Sequence, residues 1–280
     1  MRTNSTGPQR QPYPINPRPT AQLPTLPRYL DQVRNARNWS RREAHELTGI
    51  SEHYIRQIET GKRQPSAEML EKLADKYQLT PAQARHAREL LAPALSLPSL
   101  ESLHHRIERT PQLTGHLADL DARDIPAIAT DPLGNILLCN TTMDDAFPEL
   151  RQIGNIARWY FHAACEPILI DRDSEINLLV ATIKGVLGRY RTTPEAIQLL
   201  RYLRRYHDFT RRWNSSIRIA YGRETCDPFH WRHPGNGLAY SAIVHQTDVF
   251  DTQHITLHTM LPTPRALPKA PIDTLELCHR

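Results

Sequence analysis

Residues 49–66 read Gly-Ile-Ser-Glu-His-Tyr-Ile-Arg-Gln-Ile-Glu-Thr-Gly-Lys-Arg-Gln-Pro-Ser. Apolar positions recur here at helical spacing, which predicts a short helix over 51–60 with one face turned to a core. Ser51 precedes this helix as an N-cap, and Gly61 follows it as a residue that takes the left-handed conformation at helix ends. The apolar face consists of Ile50, Ile55 and Ile58. The polar side chains of the helix are therefore predicted to face solvent.

A helix of about eight residues is predicted immediately before this stretch. Ser40 is its candidate N-cap, and Glu43 completes a capping box three residues later. The helix ends near Thr48, and Gly49 supplies the turn, which gives a helix-turn-helix. Flanking helices are predicted over about 26–38, 66–77 and 81–91. Residues 26–92 are therefore predicted to form a five-helix domain.

The basic charge of the chain is concentrated in the same third. Residues 1–91 contain 15 lysines and arginines against 9 acidic residues, whereas residues 92–280 contain 20 against 21. A polyanionic partner is therefore expected at the N-terminal domain. The solvent face of helix 51–60 carries long polar side chains of the kind that reach base edges and phosphates. An ordinary solvated face is the alternative, which the glycine turn and the charge distribution disfavour.

Residues 33–81 resemble the XRE, or Cro/C1-repressor-like, helix-turn-helix family. The strongest match is 49–66, which reproduces the family's turn, recognition helix and "IExGxRxPS" tail. The resemblance implies binding to double-stranded DNA, usually by a homodimer on half-sites one helical turn apart.

The resemblance also implies roles for individual residues. It places Glu52, His53 and Gln57 at base edges in the major groove, and we add Arg56 from the same solvent-facing set. Phosphate contacts are predicted for Arg41, Ser51, Tyr54, Lys62 and Arg63. Arg34 and Glu59 match the family's buried ion pair, a structural role.

One dipeptide departs from the family pattern. Ala44-His45 stands where the family has a large apolar residue followed by alanine. In the family the two helices approach closely at the second position. We therefore expect His45 to tilt outward or the helices to cross less tightly.

The segments outside the helix-turn-helix domain differ in composition. Residues 1–25 are predicted to be a disordered, proline-rich basic arm, which could follow phosphates or serve as a solubilising tail. Residues 93–99 are predicted to be a linker, and 263–280 a loosely ordered tail. Between them, 100–262 mixes apolar strands, a helical middle and further strands, which predicts an α+β domain with an antiparallel sheet.

The pattern within 100–262 places individual elements. A hairpin is predicted over 125–140, where two apolar runs flank an Asp-Pro-Leu-Gly-Asn turn. The clearest helical stretches are 176–190 and 194–209. Later strands are predicted over 217–221, 237–245 and 254–261.

Candidate chemical sites in the second domain are weak. Cys226, His230 and His233 match no common zinc spacing and are flanked by prolines, so an ordinary loop is the preferred interpretation and no metal is expected. Nucleotide-binding and nucleophile motifs are missing from the sequence, so neither a cofactor nor an enzyme is predicted. The four cysteines are expected to be reduced cytosolic thiols. No apolar run is long enough for a membrane span.

Aromatic residues cluster in the helical part of this domain, where core packing accounts for most of them. A ligand pocket would use the same residue types, and its candidates are Trp159, Phe161, Tyr206 and Trp213.

Residues 126–131 with 135–140, 155–161, 209–213 and 232–237 resemble landmarks of the MmyB-like transcription regulators. That resemblance implies a PAS-like domain for a small apolar, often fatty, ligand. Cys139 stands where the family tends to carry tryptophan.

The sequence therefore predicts a bacterial cytoplasmic transcription regulator with two folded domains. Its fold class is a helix-turn-helix bundle followed by a PAS-like α+β domain with an antiparallel sheet. The predicted partners are double-stranded DNA, a second copy of the chain and a small apolar or fatty-acid-like ligand, with no membrane. The alternatives are an antitoxin or repressor whose second domain binds a protein, and an enzyme that uses the helix-turn-helix for targeting.

Overall fold

The computed structural model describes residues 20–224, 226–249 and 254–264. Its first five helices lie within two residues of the predicted bounds, so the predicted helical bundle is confirmed. These helices are α1 (Leu26–Ala36), α2 (Arg41–Thr48), α3 (Glu52–Glu59), α4 (Ala67–Lys76) and α5 (Pro81–Leu91).

Local side chains determine where these helices begin and end. The Ser40 hydroxyl accepts from Glu43 N at 3.1 Å, and the Glu43 carboxylate accepts from Ser40 N at 2.7 Å, which is the predicted capping box. Ser51 caps α3 by accepting from Tyr54 N at 3.3 Å. Gly49 ends α2 with φ of 68°, in the left-handed region that glycine occupies without strain.

The core of the bundle contains the three isoleucines that the sequence assigned to it. Ile50, Ile55 and Ile58 are buried against Leu30 and other apolar residues of the bundle. Ile50 lies just before α3, and Ile55 and Ile58 lie on one side of it. This apolar side holds the helix on the core, so the opposite side does not pack in the core.

The second domain begins with two helices and has its largest helical cluster in the middle. Its helices are α6 (Leu100–Glu108), α7 (Pro111–Asp121), α8 (Thr141–Ala146), α9 (Leu150–Ile153), α10 (Ile156–Trp159), α11 (Arg172–Arg189), α12 (Pro194–Leu203) and α13 (His207–Ser215). The single helix predicted over 194–209 is two helices, because the chain turns at 204–206 and then starts again.

The strands form antiparallel sheets, as the sequence predicted for this domain. They are β1 (Ala127–Thr130), β2 (Ile136–Cys139), β3 (Phe229–Arg232), β4 (Ala239–Ala242), β5 (Val244–Asp248), β6 (Thr256–Met260) and β7 (Thr263–Pro264). One sheet has the order β2-β1-β6-β5 and the other β3-β4-β7. Ile128 lies opposite both Cys139 and His258. Only Ile243 separates β4 from β5, so the two sheets share one extended run of chain.

Two strand predictions need correction. Residues 217–221 do not form a strand: Ile217, Ile219 and Tyr221 pack against the helix-turn-helix core, where no strand is available as a partner. Residues 229–232, predicted to be part of a loop, form β3, which pairs with β4. The prolines on either side of β3 lie beyond the ends of the strand and do not prevent it from forming.

The predicted terminal segments lie mostly outside the described residues. Of the arm, only residues 20–25 are described. The prediction of disorder is wrong for this end of the arm, because Ala21 is 2% exposed and packs in the core of the second domain. Apolar residues between the prolines find a core there, which composition alone does not indicate. Of the tail, 263–264 forms β7, a correction to its predicted loose order.

The two domains are in contact through α5 and α11. Gly188 of α11 allows the close approach to α5, because a Cβ atom there would lie 2.4 Å from His86 Cε1. Gly185 allows α11 to approach a segment of its own domain, since a Cβ atom there would lie 2.7 Å from the main-chain oxygen of Ala220. The Gln83 side-chain amide also donates to Ile217 O at 3.1 Å. A side chain at Gly188 would force the contact between α5 and α11 to open.

Candidate nucleic-acid interface and ligand cavity

The polar face of α3 is open to solvent. The helix packs on α1 and α2 through its isoleucines. The main helix contact of the second domain with the bundle is on α5. Within the described residues, the candidate recognition face is therefore uncovered by the rest of the chain.

The four predicted base-contact residues share this face. Glu52, His53 and Arg56 are exposed, and Gln57 is half-buried. Gln57 Nε2 lies 3.0 Å from His53 Nε2, one turn away, so the amide can donate to the ring when the ring proton is on Nδ1. This arrangement holds two side chains with base-reading chemistry next to each other.

The predicted phosphate-contact residues surround that face, and several of them already have partners within the domain. Lys62 and Arg63 are exposed, and the Arg63 guanidinium lies 4.8 Å from the centre of the half-buried Tyr54 ring. Ser51 uses its hydroxyl oxygen as the N-cap acceptor. Arg41 Nε lies 2.7 Å from Glu59 Oε2, so its guanidinium is partly occupied by a carboxylate.

Arg34 and Glu59 form a buried ion pair between α1 and the last turn of α3. Arg34 Nε lies 2.6 Å from Glu59 Oε1, and Nη2 lies 3.1 Å from Oε2. Arg34 also donates to Trp39 O at 2.6 Å and to Asp31 Oδ1 at 2.6 Å. Burial lowers the pKa of Arg34, but the hydrogen bond and charge of Glu59 outweigh it and the pKa is raised. The pair fixes α3 to the scaffold.

The departure at Ala44-His45 has a simple structural outcome. Ala44 is completely buried, whereas His45 is exposed, which is the outward tilt that was one of the two expectations. The His45 Nδ1 atom lies 2.9 Å from Ile50 O, across the turn. The histidine is therefore accommodated at the turn and not between the helices.

The second domain contains a cavity of about 600 Å³ between its sheet and α11. Apolar side chains of α11 form one wall, including Leu179, Ile183 and Val186, and Trp159 and Phe229 contribute to another. The volume lies within the range of about 300–1,000 Å³ that small-molecule sites occupy. The cavity is therefore large enough for a small apolar ligand.

Polar groups in the lining pair with one another. The Glu175 carboxylate pairs with the Arg223 guanidinium and accepts from the Tyr160 hydroxyl at 3.3 Å. Burial raises the pKa of Glu175, and the Arg223 charge opposes that rise. On the sheet, His258 Nε2 lies 3.1 Å from Thr130 Oγ1. These groups are paired with each other within a mostly apolar enclosure.

Of the predicted pocket residues, the structure places only Trp159 in the lining. Phe161, Tyr206 and Trp213 belong to a separate aromatic cluster around Phe209, where Phe161 lies 5.2 Å from Tyr206 and Phe209 lies 5.3 Å from Trp213 between ring centres. These three rings pack in the helical core of the domain. More of the lining comes from α11 than from any other element, and the apolar residues of α11 looked like ordinary core positions in the sequence.

The described residues contain no group of three or more side chains arranged to hold a metal ion, and β3 places His230 in a strand. Cys139 and Cys165 are buried free thiols and Cys226 is an exposed one. Burial raises the pKa of Cys139 to about 12, so it is protonated at neutral pH.

Among the described helices, none combines the length and the apolarity that crossing a bilayer requires.

Comparisons with known proteins agree with both domains. A helix-turn-helix domain model matches residues 26–87, and a model of the MmyB-like transcription regulator ligand binding domain matches residues 110–269. No curated protein matches the chain. The second model covers more than half of the 280 residues and follows a helix-turn-helix whose polar face is exposed. The chain therefore belongs to the MmyB-like transcription regulators, with an XRE-type helix-turn-helix domain before the ligand-binding domain.

Proposed function

We propose that this regulator binds one preferred DNA sequence as a homodimer and responds to a small apolar ligand held in the cavity of its second domain. In this proposal α3 enters the major groove. Glu52, His53, Arg56 and Gln57 contact base edges, while Arg41, Ser51, Tyr54, Lys62 and Arg63 contact the sugar-phosphate backbone.

The observation that carries the DNA proposal is the division of α3 into two faces. Its isoleucines are buried, its base-contact candidates are exposed or half-buried, and the second domain packs elsewhere, on α5. A helix presented in this way can insert into a groove about 12 Å wide without local unfolding. Lys62 and Arg63 stand at its end, where a backbone contact would position it.

The DNA proposal is tested first by selecting bound sequences from a random duplex pool. Gln57→Ala is then measured on the selected site and on single-base variants of it. We expect a loss of about 1–3 kcal/mol on the selected site and a relaxed preference at one position, because an amide reads adenine by two hydrogen bonds. An unchanged preferred sequence would show that Gln57 does not read a base.

Lys62→Ala distinguishes a contact that positions the protein on the sugar-phosphate backbone from a contact that reads a base. We expect it to weaken all sequences alike and to reduce the slope of log affinity against log salt by about one, because one phosphate contact is lost. Lys76→Ala is the matched control, since Lys76 lies at the end of α4 and pairs with Asp75. Equal effects of the two substitutions would assign the slope to total charge and not to a contact at Lys62.

The dimer proposal has its own measurement. Sedimentation of the full chain with a duplex that carries two half-sites 10–10.5 base pairs apart should give two protein chains per duplex. Moving the half-sites apart by half a helical turn should weaken binding, because the two α3 helices would then face opposite sides of the DNA. A spacing-independent affinity and one chain per duplex would contradict a dimer.

The ligand proposal rests on the size and apolar lining of the cavity. Native mass spectrometry of the full chain should detect a co-purified small molecule that is released on denaturation. Because Trp159 lines the cavity, Trp159→Phe keeps an apolar ring there while it removes the indole. We expect the bound mass to remain with Trp159→Phe and to be lost when Ile183→Trp fills the space. Retention by the filled variant would place the molecule elsewhere.

A further inference from the structure

Residues 216–223, hereafter the strap, follow α13 and lead toward β3. They belong to the second domain in sequence, but their apolar side chains pack on the other domain. Ile219 is 6% exposed in the core of the helix-turn-helix bundle, and Ile217 and Tyr221 pack against that core. The strap therefore supplies part of the core of the DNA-binding domain.

Hydrogen bonds also join the strap to α5 of the bundle. The Gln83 side-chain amide donates to Ile217 O at 3.1 Å, and the Tyr221 hydroxyl donates to the Glu89 carboxylate. The Arg85 guanidinium lies 3.8 Å from the centre of the Tyr221 ring, at cation–π distance. The strap is thus attached to α5 at both Ile217 and Tyr221.

The same segment is attached to α11 of its own domain. Ala220 N donates to Ala181 O at 3.1 Å, and the Lys184 ammonium donates to Ser216 O. Gly185 allows this approach, as described above. The strap therefore has hydrogen bonds to one helix of each domain.

The last part of the strap forms a wall of the cavity. Residues 221–223 all contribute to the lining. Arg223 is held there by its buried ion pair with Glu175. Of helices α1–α5, only Arg85 reaches the lining, and its guanidinium lies over the Tyr221 ring. Tyr221 is therefore at the same time a wall of the cavity and a packing partner of the bundle core.

This arrangement deepens the proposed ligand role of the cavity, on which the inference rests. We propose that the strap couples the cavity to the DNA-binding domain. A molecule in the cavity supports the strap through Tyr221, and the supported strap holds the bundle in its position on α11. Loss of the molecule loosens the strap and, with it, the bundle.

The physical basis of the coupling is packing. An apolar molecule in the cavity adds dispersion contacts to the side of Tyr221 that faces it. Such a molecule binds more tightly to the docked arrangement than to one in which the strap has left the bundle, so it shifts the equilibrium toward docking. By reciprocity, DNA that prefers one of the two arrangements changes the affinity for the molecule by the same factor.

The first measurement is amide hydrogen exchange of the full-length protein with and without saturating 1-octanol as a small apolar probe. We expect exchange to slow several-fold at Ala220, whose amide is bonded to α11, and in the last turn of α5. Helix α2 contributes no residue to the lining and should be unchanged. Equal slowing in α2 would reflect stabilisation of the whole protein and would overturn a specific role of the strap.

A matched pair of variants tests the connection at Tyr221. Tyr221→Phe removes the hydroxyl bond to Glu89 but keeps an aromatic ring in the cavity wall. Tyr160→Phe is the control, because Tyr160 also lines the cavity and its hydroxyl is also bonded to a glutamate, Glu175, within the second domain. We expect Tyr221→Phe to bind octanol in calorimetry but to lose the slowing in α5, and Tyr160→Phe to retain the slowing. Retention of the slowing by Tyr221→Phe would overturn the proposal.

The same pair tests the coupling to DNA. The measured quantity is the ratio of affinities for the selected duplex with and without octanol. We expect a ratio that differs from one by several-fold in the unsubstituted protein and in Tyr160→Phe, and a ratio of about one in Tyr221→Phe. A ratio that is the same in all three proteins would mean that the strap does not carry the coupling.

A cavity-filling variant makes the test independent of any ligand. Ile183→Trp fills the space along α11 and should slow exchange at Ala220 without octanol, and Leu179→Phe, a smaller addition to the same wall, should do so less strongly. If octanol does not bind and no molecule co-purifies, the proposed ligand role fails, whereas slowing by the filled cavity still supports the strap. If octanol binds but neither it nor a filled cavity slows exchange at Ala220 and in α5, this inference is overturned and the ligand role stands.

Discussion

His86 lies at the contact between the two domains, and we expect it to make the stability of the protein depend on pH. This α5 residue is 1% exposed, its ring lies edge-on to Tyr29 at 4.9 Å between centres, and it faces Gly188 of α11. Its Nδ1 atom is buried with no hydrogen-bond partner in the described residues. Burial lowers the pKa of His86 from 6.5 to about 4, against the opposing charge of Glu89.

The direction and size of the effect of pH on stability follow from the difference between the pKa of His86 in the folded and in the unfolded chain. The folded-state pKa is below that of the unfolded chain, so between pH 6.5 and 4 the unfolded state binds more protons. Stability is therefore complete above pH 6.5 and is lost as the pH falls through that window. At pH 5 a shift from 6.5 to about 4 corresponds to about 2 kcal/mol of the free energy of unfolding.

The assay is urea denaturation of the full chain and of His86→Gln at pH 7 and at pH 5. Glutamine is polar and of similar size but does not titrate. We expect the unsubstituted protein to lose about 2 kcal/mol more than the variant between the two pH values. His258, whose pKa burial also lowers, titrates in both proteins and cancels in the comparison.

The exposed His105 supplies the control. His105→Gln should lose as much stability as the unsubstituted protein, because this substitution leaves the buried His86 ring in place. If His86→Gln shows the same loss as His105→Gln, then His86 is protonated in the folded protein and the buried, neutral ring inferred here is wrong.

Two further substitutions test the packing described above. Gly188→Ala places a Cβ atom 2.4 Å from His86 Cε1, and we expect it to cost about 1–3 kcal/mol and to speed proteolysis between the domains, although alanine favours helix. Unchanged denaturation and proteolysis would mean that the contact between α5 and α11 has room for a methyl group at position 188. Glu59→Gln leaves the Arg34 charge buried without its main partner, and we expect a loss of about 3 kcal/mol with weaker binding to all DNA sequences. A loss below 1 kcal/mol in thermal denaturation would show that Asp31 is a sufficient partner.

The N-terminal domain could be predicted in detail because its signals are local. Capping at Ser40 and Ser51, the turn at Gly49 and the isoleucine spacing act within one or two helical turns, and the structure contains all of them. The Arg34–Glu59 pair is 25 residues apart in sequence but was implied by the family resemblance. The exposure of α3 depended on where the second domain packs, which local signals do not contain.

The second domain was predicted less well, and the errors have a common cause. Residues 217–221 have the pattern of a strand but find helices as neighbours, and residues 229–232 lie between prolines but find β4 as a partner. Pairing over long separations decides both outcomes, because an extended segment becomes a strand only beside another strand. The pocket prediction from aromatic side chains also differed from the structure, because core packing and a ligand cavity use the same residue types.

The helix-turn-helix, its caps, its charge and the class of regulator could be read from the chain, because these depend on neighbours a few residues apart and on a family pattern. The lining of the cavity by α11 and Arg85, and the bonds by which Glu89 joins the domains, depend on the folded arrangement. Glu89 and Arg189 are 100 residues apart. A contact over that separation depends on the close approach of α5 and α11 at Gly188, which no local pattern specifies.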